Sequence, residues 1–182
     1  AGVIGCSIAL ELRRRGVPAT VIDRNGEVGH GSTSASCGIV RCFYTTKTMS
    51  AMAQEGAQIW RDWRSYLGID DEGGLARFEQ VGMLFLPSRI DAATERIVAH
   101  MHELGLEAEI LSAAEIARRF PFVDVSSQSP VRAPDDETFF DKTGRDIDGG
   151  VFEPGAGYVV SPSIATHNLR VAGENEGVVF VL

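Results

Sequence analysis

The first 23 residues constrain the fold more than any other stretch of the chain. "AGVIGCSIALELRRRG" places Gly2 and Gly5 three positions apart, followed by Ile4, Ile8 and Leu12 recurring every four residues with Ala9 beside them. That period predicts a helix to about Arg15 carrying one apolar stripe. Gly16 then supplies a left-handed stop, and Pro18 prevents continuation. Residues 19–22 are a short apolar run that ends at Asp23, 21 positions after Gly2. Turn, helix, strand and acid in this order and at this spacing describe a βαβ dinucleotide unit. One glycine ahead of Ala1 would complete G-x-G-x-x-G, so the chain opens inside the fingerprint.

The physics of that unit assigns roles. Glycines let backbone approach a pyrophosphate, and the first-turn N–H groups of the helix donate to it with the helix dipole behind them. Gly2 would serve the close approach and Gly5 the helix-to-strand packing, with Ala1, Val3 and Ile4 completing the turn. Asp23 would accept hydrogen bonds from the adenosine ribose. The plain alternative is a glycine-containing helix start in an ordinary α/β domain.

A chain of 182 residues is enough for one domain, or for one domain and part of another. Net charge is −8 and the arginines are scattered, which argues against a nucleic-acid-binding face. No apolar run approaches the roughly 18 residues that cross a bilayer, and no secretory leader pattern is present, so the expected setting is cytoplasmic. Cys6, Cys37 and Cys42 lack metal or redox spacing and read as reduced packing residues. The four histidines share no ligand spacing, so no metal site is expected.

Further along, "NGEVGHGSTSASCG" (residues 25–38) reads as a Gly/Ser loop. Residues 49–67 form one helix with a Met and Trp stripe as core, closed by Gly68. "QVGMLFL" (80–86) is strand-like, residues 91–104 are helical, and 108–111 are a second strand. Ser112 with Glu115 is a capping box for a helix to Phe120. Asp70, Asp71 and Glu72 look like a solvated turn, and 121–148 is irregular. "GGVFEPGAGYVV" reads as two strands around a turn. Ser161 and Pro162 are an N-cap and N1 pair, and "VVFVL" closes the chain as a buried strand. Such an ending, like the opening, reads as a cut through a longer protein.

After Asp23 the chain proceeds to a Gly/Ser loop and a long helix, where an NAD domain proceeds to another helix and strand of its parallel sheet. With Arg24, "GSTSASCGIVR", Trp60, "ILSAAEIARRFP" and "GGVFEPGAGYVVSP", it resembles the FAD-dependent amino-acid and amine oxidoreductases that include D-amino-acid oxidase, glycine oxidase, sarcosine oxidase and dimethylglycine dehydrogenase. The resemblance implies an α/β fold, α+β overall: an incomplete Rossmann-like FAD-binding domain with an inserted antiparallel-sheet substrate domain. It divides the chain into a first part of the FAD domain (1–76), a substrate domain (77–160) and a return to the FAD domain (161–182).

The same resemblance implies FAD as cofactor, its pyrophosphate at Gly2 and Gly5 and its ribose on Asp23, with Arg24 also among the cofactor-binding residues. Gly31, Ser32, Thr33, Ser34, Ala35 and Ser36 would run beside the flavin, a surface loop being the plain alternative. Arg41 matches the arginine that receives the substrate carboxylate in sarcosine-oxidase-like members, where two parallel hydrogen bonds hold it; an ordinary salt bridge is the rival reading. Flavin-linking histidines of some members are matched here by Ala35 and Ser34, which implies no covalent link through this loop, although His30 lies nearby; noncovalent FAD is the default expectation, the linking cysteine of some members lying further downstream. The implied reaction is oxidation of an amino acid or N-methylated amine to an imine, which water hydrolyses. Rival readings are an NAD(P)-dependent dehydrogenase and a non-catalytic remnant of an FAD enzyme.

Overall fold

The computed structural model describes residues 1–87, 89–141 and 144–182. In chain order the elements are α1 (Val3–Arg14), β1 (Thr20–Ile22), β2 (Ile39–Val40), α2 (Lys47–Arg61), α3 (Trp63–Leu67), β3 (Phe78–Glu79), β4 (Met83–Phe85), α4 (Ala92–Glu103), β5 (Glu109–Ser112), α5 (Ala113–Arg119), β6 (Gly149–Glu153), β7 (Gly157–Val159), α6 (Pro162–Asn175) and β8 (Val179–Val181). The chain divides into two compact units. One comprises Ala1–Arg41, Ala53–Val81 and Ala156–Leu182, the other Cys42–Met52 and Gly82–Gly155.

In the first unit α1 ends where its sequence says it must. Arg13 and Arg14 occupy the last turn, where cations oppose the negative end of the dipole, and Gly16 adopts φ +78°. Its buried face differs from the apolar stripe. Ile4 is 73% and Ile8 55% exposed, whereas Cys6, Ala9 and Leu10 are buried. Cys6 and Leu10 share a core with Ala165, Leu169 and Ala172 of α6. Small side chains on both helices decide the face, because they let the two backbones approach where Ile4 and Ile8 would hold them apart.

β1 pairs in parallel with β8, from Thr20 opposite Val179 to Ile22 opposite Val181. A second sheet has β7 at its centre, antiparallel to β2 on one side and β3 on the other. The closing strand is not buried throughout: Val178 is packed with Ala9 and Val21, but Val179 and Val181 are about half exposed. The helix expected over 49–67 is broken at Asp62, whose φ −119° and ψ 45° lie outside the helical region, and α3 then ends at Gly68 with φ +67°. Of its stripe, Trp63 and Leu67 are buried, whereas Met49 and Met52 are exposed.

In the turn after α3, Asp70 and Glu72 are exposed as expected, but Asp71 turns inward. The Asp71 side chain is 6% exposed and accepts from Asn168 Nδ2 at 2.7 Å and from the Gly73 N–H at 2.9 Å. Asn168, fully buried in α6, is the hub. Its Oδ1 accepts from Trp63 Nε1 (3.3 Å) and the Ala76 N–H (2.9 Å), and its Nδ2 also donates to the Gly74 carbonyl (2.9 Å). One amide side chain thus satisfies groups from α3 and from the loop that leads to β3.

In the second unit β6 lies between β4 and β5, antiparallel to both. Asp91 caps α4 by accepting from the Ala93 and Thr94 N–H groups, and Ser112 and Glu115 form the reciprocal capping box of α5. Gly82, at φ +78°, separates β3 from β4, which is why the expected strand over 80–86 is shorter. β6 and β7 belong to different sheets, so the turn between them is a junction rather than a hairpin. Glu153, 2% exposed, accepts from the Cys42 N–H (2.7 Å) and the Phe43 N–H (3.1 Å).

Candidate cofactor site

The first turn of α1 and the Gly/Ser loop meet. Gly2 is the N-cap of α1 and has no side chain with which to cap it, so the N–H groups of the first turn look outward for partners. Thr33 supplies one of them. Its Oγ1 accepts from the Val3 N–H at 3.2 Å, and Thr33 is only 8% exposed. A second bond joins the same segments, from the Gly29 N–H to the Ala1 carbonyl at 2.8 Å. A Cβ on Gly2 would lie 3.0 Å from Thr33 Oγ1, so a larger residue there would crowd the Thr33 hydroxyl.

The loop is shaped from within. The Ser34 N–H donates to the Gly29 carbonyl and the Ser36 N–H to the Thr33 carbonyl. Ser34 Oγ donates to the Gly31 carbonyl, and Ser36 Oγ accepts from the Gly38 N–H. Gly38, at φ +67°, ends the loop against β7, where an added Cβ would meet the Val159 carbonyl oxygen at 2.6 Å.

Beside this loop lies a cavity of about 180 Å³, lined by Val3, Thr33, Ser36, Val40, Trp60 and Pro162 among others. The starts of α1 and α6 both border it, through Val3 and through Pro162 and Ala165. Two helix N-termini thus face one small, largely apolar space, each presenting partial positive charge. Asp23 stands where β1 ends. Its carboxylate accepts from the Asn25 backbone N–H at 3.0 Å and from the Asn25 side-chain amide at 2.9 Å.

The expected residues therefore separate into groups. Ala1, Gly2, Val3 and Thr33 are brought together by these contacts, Ser36 joins them at the cavity, and Asp23 stands at the end of β1. Ile4 and Gly5 follow on the same helical turn, and an added Cβ on Gly5 would meet nothing within 4 Å. Arg24, Gly31, Ser32, Ser34 and Ala35 are exposed. Arg41 is half-buried directly after β2. Sequence reasoning missed Gly29, Gly38, Val40 and Pro162 as parts of this site; the signal for Pro162 was its place at the start of α6. Cys6 and Cys42 are buried, but Cys37 is exposed on the loop and packs no core. Burial pushes the Cys6 thiol pKa up.

Comparison with known proteins decides the family. The family of FAD dependent oxidoreductases matches residues 1–182. The chain belongs to the FAD-dependent oxidoreductase family. Solved structures agree in fold: L-proline dehydrogenase from P. horikoshii (20% identity, TM-score 0.71) covers 99% of this chain and 41% of its own. Glycine oxidase from Geobacillus kaustophilus (20% identity, TM-score 0.63) covers 98% and 44%, and iminodiacetate oxidase from Chelativorans sp. BNC1 (20% identity, TM-score 0.62) covers 99% and 44%. This FAD-dependent oxidoreductase chain thus spans about two-fifths of the length of those relatives. Among curated protein sequences none matches. FAD is the family's cofactor, and the residues fit it: outward donors at a helix start, a carboxylate side chain at the strand end and a small-residue loop beside an apolar cavity. Among the described residues no helix is long and apolar enough to cross a membrane, and no cluster of His, Cys, Asp and Glu is built to hold a metal ion.

Proposed function

We propose that this chain carries the FAD-binding start of an oxidoreductase that acts on an amino acid or N-methylated amine. The observation behind the reading is the joining of the first turn of α1 to the loop carrying Thr33 by direct contact, with Asp23 at the end of β1. The α1 amides take the diphosphate, Asp23 takes the ribose, and the loop borders the flavin. When bound, FAD accepts a hydride equivalent from the carbon beside the substrate amine.

The chain's own residues bind and orient. Arg41 grips the substrate carboxylate through two parallel hydrogen bonds, which fixes the reacting carbon while the apolar walls of the site exclude water. Residues 77–160 belong largely to the substrate domain, and 161–182 return the chain to the FAD domain. Proline, glycine and iminodiacetate appear in the names of the relatives above, and all carry an amine next to a carboxylate; that is the substrate class we assign. FAD is held without a covalent link through the loop, because Ser34 and Ala35 offer no nucleophile suited to one. The 182 residues by themselves turn over no substrate, since relatives of this fold use more than twice this length.

Two measurements test the reading. Protein carrying these residues in its full natural length should release FAD on denaturation, and Arg41→Ala should raise KM for the amino acid sharply with a smaller change in kcat. An unchanged KM removes Arg41 from the substrate site. Oxidation of sarcosine, glycine or proline by the 182 residues alone refutes the inactivity.

A further inference from the structure

The α1 first turn has three N–H groups that the helix itself cannot satisfy, those of Val3, Ile4 and Gly5, because the helical ladder begins with the Cys6 N–H donating to the Gly2 carbonyl. Thr33 occupies the first of them. The amide the fingerprint offers to a diphosphate at Val3 is therefore already spent on the loop, and only Ile4 and Gly5, both exposed, keep outward donors.

We propose that Thr33 is a positioning residue for FAD rather than one of its ligands. Its hydroxyl pins the loop to the helix start, so that loop, Gly2 and the Ile4 and Gly5 amides form one assembled cradle before any ligand arrives. Three features fit that role. Thr33 is buried while its loop neighbours Ser32, Ser34 and Ala35 are exposed. Gly2 leaves just enough room for its hydroxyl, as the 3.0 Å from an added Cβ records. The parallel bond from the Gly29 N–H to the Ala1 carbonyl keeps the two segments in register, and Gly29, at φ +81°, packs against the buried Thr166 of α6. An assembled cradle loses less order on binding than one that must form around its ligand. The inference rests on the FAD reading above.

The test compares wild type, Thr33→Val and Thr33→Ser in the full-length protein. Valine keeps the shape and removes the hydroxyl; serine keeps the hydroxyl. Thr33→Val should expose the Val3 amide to hydrogen exchange in the unliganded protein and weaken FAD and ADP binding by about five- to tenfold, the size expected for loss of a helix cap. Adenosine, which has no diphosphate, should bind both proteins alike, and Thr33→Ser should restore the wild-type values. Equal FAD affinity in Thr33→Val, unchanged Val3 exchange, or equal weakening for adenosine and ADP each overturns the positioning role. Wild-type protein that takes up neither FAD nor ADP overturns the FAD reading and this inference with it, a result distinct from the other three.

Discussion

Replacing Asn168 by alanine should unfold this protein more readily than any surface change, and the size follows from its four hydrogen bonds. The substitution leaves Trp63 Nε1 and the Ala76 N–H, both in buried residues, without their acceptor, and the Gly74 carbonyl and Asp71 Oδ2 without their donor. A buried donor stripped of its partner costs about 1–3 kcal/mol, so the two donors together cost about 2–6 kcal/mol before any cavity is counted. In a chain of this size about 1 kcal/mol moves Tm by roughly 2–4 °C, which sets the expected drop at about 10 °C. Thermal unfolding followed by circular dichroism reads it. Asn168→Asp sharpens the argument: it keeps an acceptor for Trp63 and Ala76 but sets a carboxylate against Asp71 Oδ2. Two facing carboxylates raise the pKa of the introduced group in the folded state, so the lost stability should return as pH falls toward about 4 and vanish as pH rises. A Tm change of only about 2 °C in Asn168→Ala, the size of a neutral surface substitution, would falsify this account of α6.

Other outcomes follow from single contacts. Gly38→Ala meets both a left-handed φ and the Val159 carbonyl at 2.6 Å, and should destabilise by about 3 kcal/mol or more in denaturant unfolding; a neutral result contradicts the packing of the loop on β7. Glu153→Ala removes the acceptor of the Cys42 and Phe43 N–H groups and should cost about 2–5 kcal/mol, with faster hydrogen exchange at both amides as the check. The Glu115 carboxyl is held below its ordinary pKa first by the Ser112 hydroxyl and then by the Ser112 N–H. A depressed folded-state pKa supports the fold above the unfolded value and loses that support as pH falls through the folded one, so α5 should fray in acid in wild type; Ser112→Ala, which keeps the backbone N–H, should shrink that acid step, which amide exchange along α5 monitors.

How much of this was legible beforehand depends on range. Local signals carried through: Gly16 and Gly68 stop helices, Asp91 and Ser112 start them, and Ser161 with Pro162 opens α6. Long-range partners did not. The stripe of Ile4, Ile8 and Leu12 has the right period for a core face, but period cannot say which face finds close-packing partners, and the small Cys6 and Ala9 win that contest. Asp71 sits among acids in sequence, yet Asn168, 97 positions away, draws it inward. The turn after β6 has hairpin composition, but its two strands join different sheets. At the candidate site the glycines and the acid were readable from spacing. The buried hydroxyl of Thr33 was indistinguishable by composition from the exposed serines around it.

The most direct test of the central claim is an equilibrium titration of full-length protein with FAD, followed by flavin fluorescence, in wild type and in Asp23→Ala. The account predicts uptake of FAD by wild type and weaker binding without the ribose-facing carboxylate. Protein that stays colourless and takes up no flavin, or an Asp23→Ala variant that binds FAD as wild type does, would contradict it.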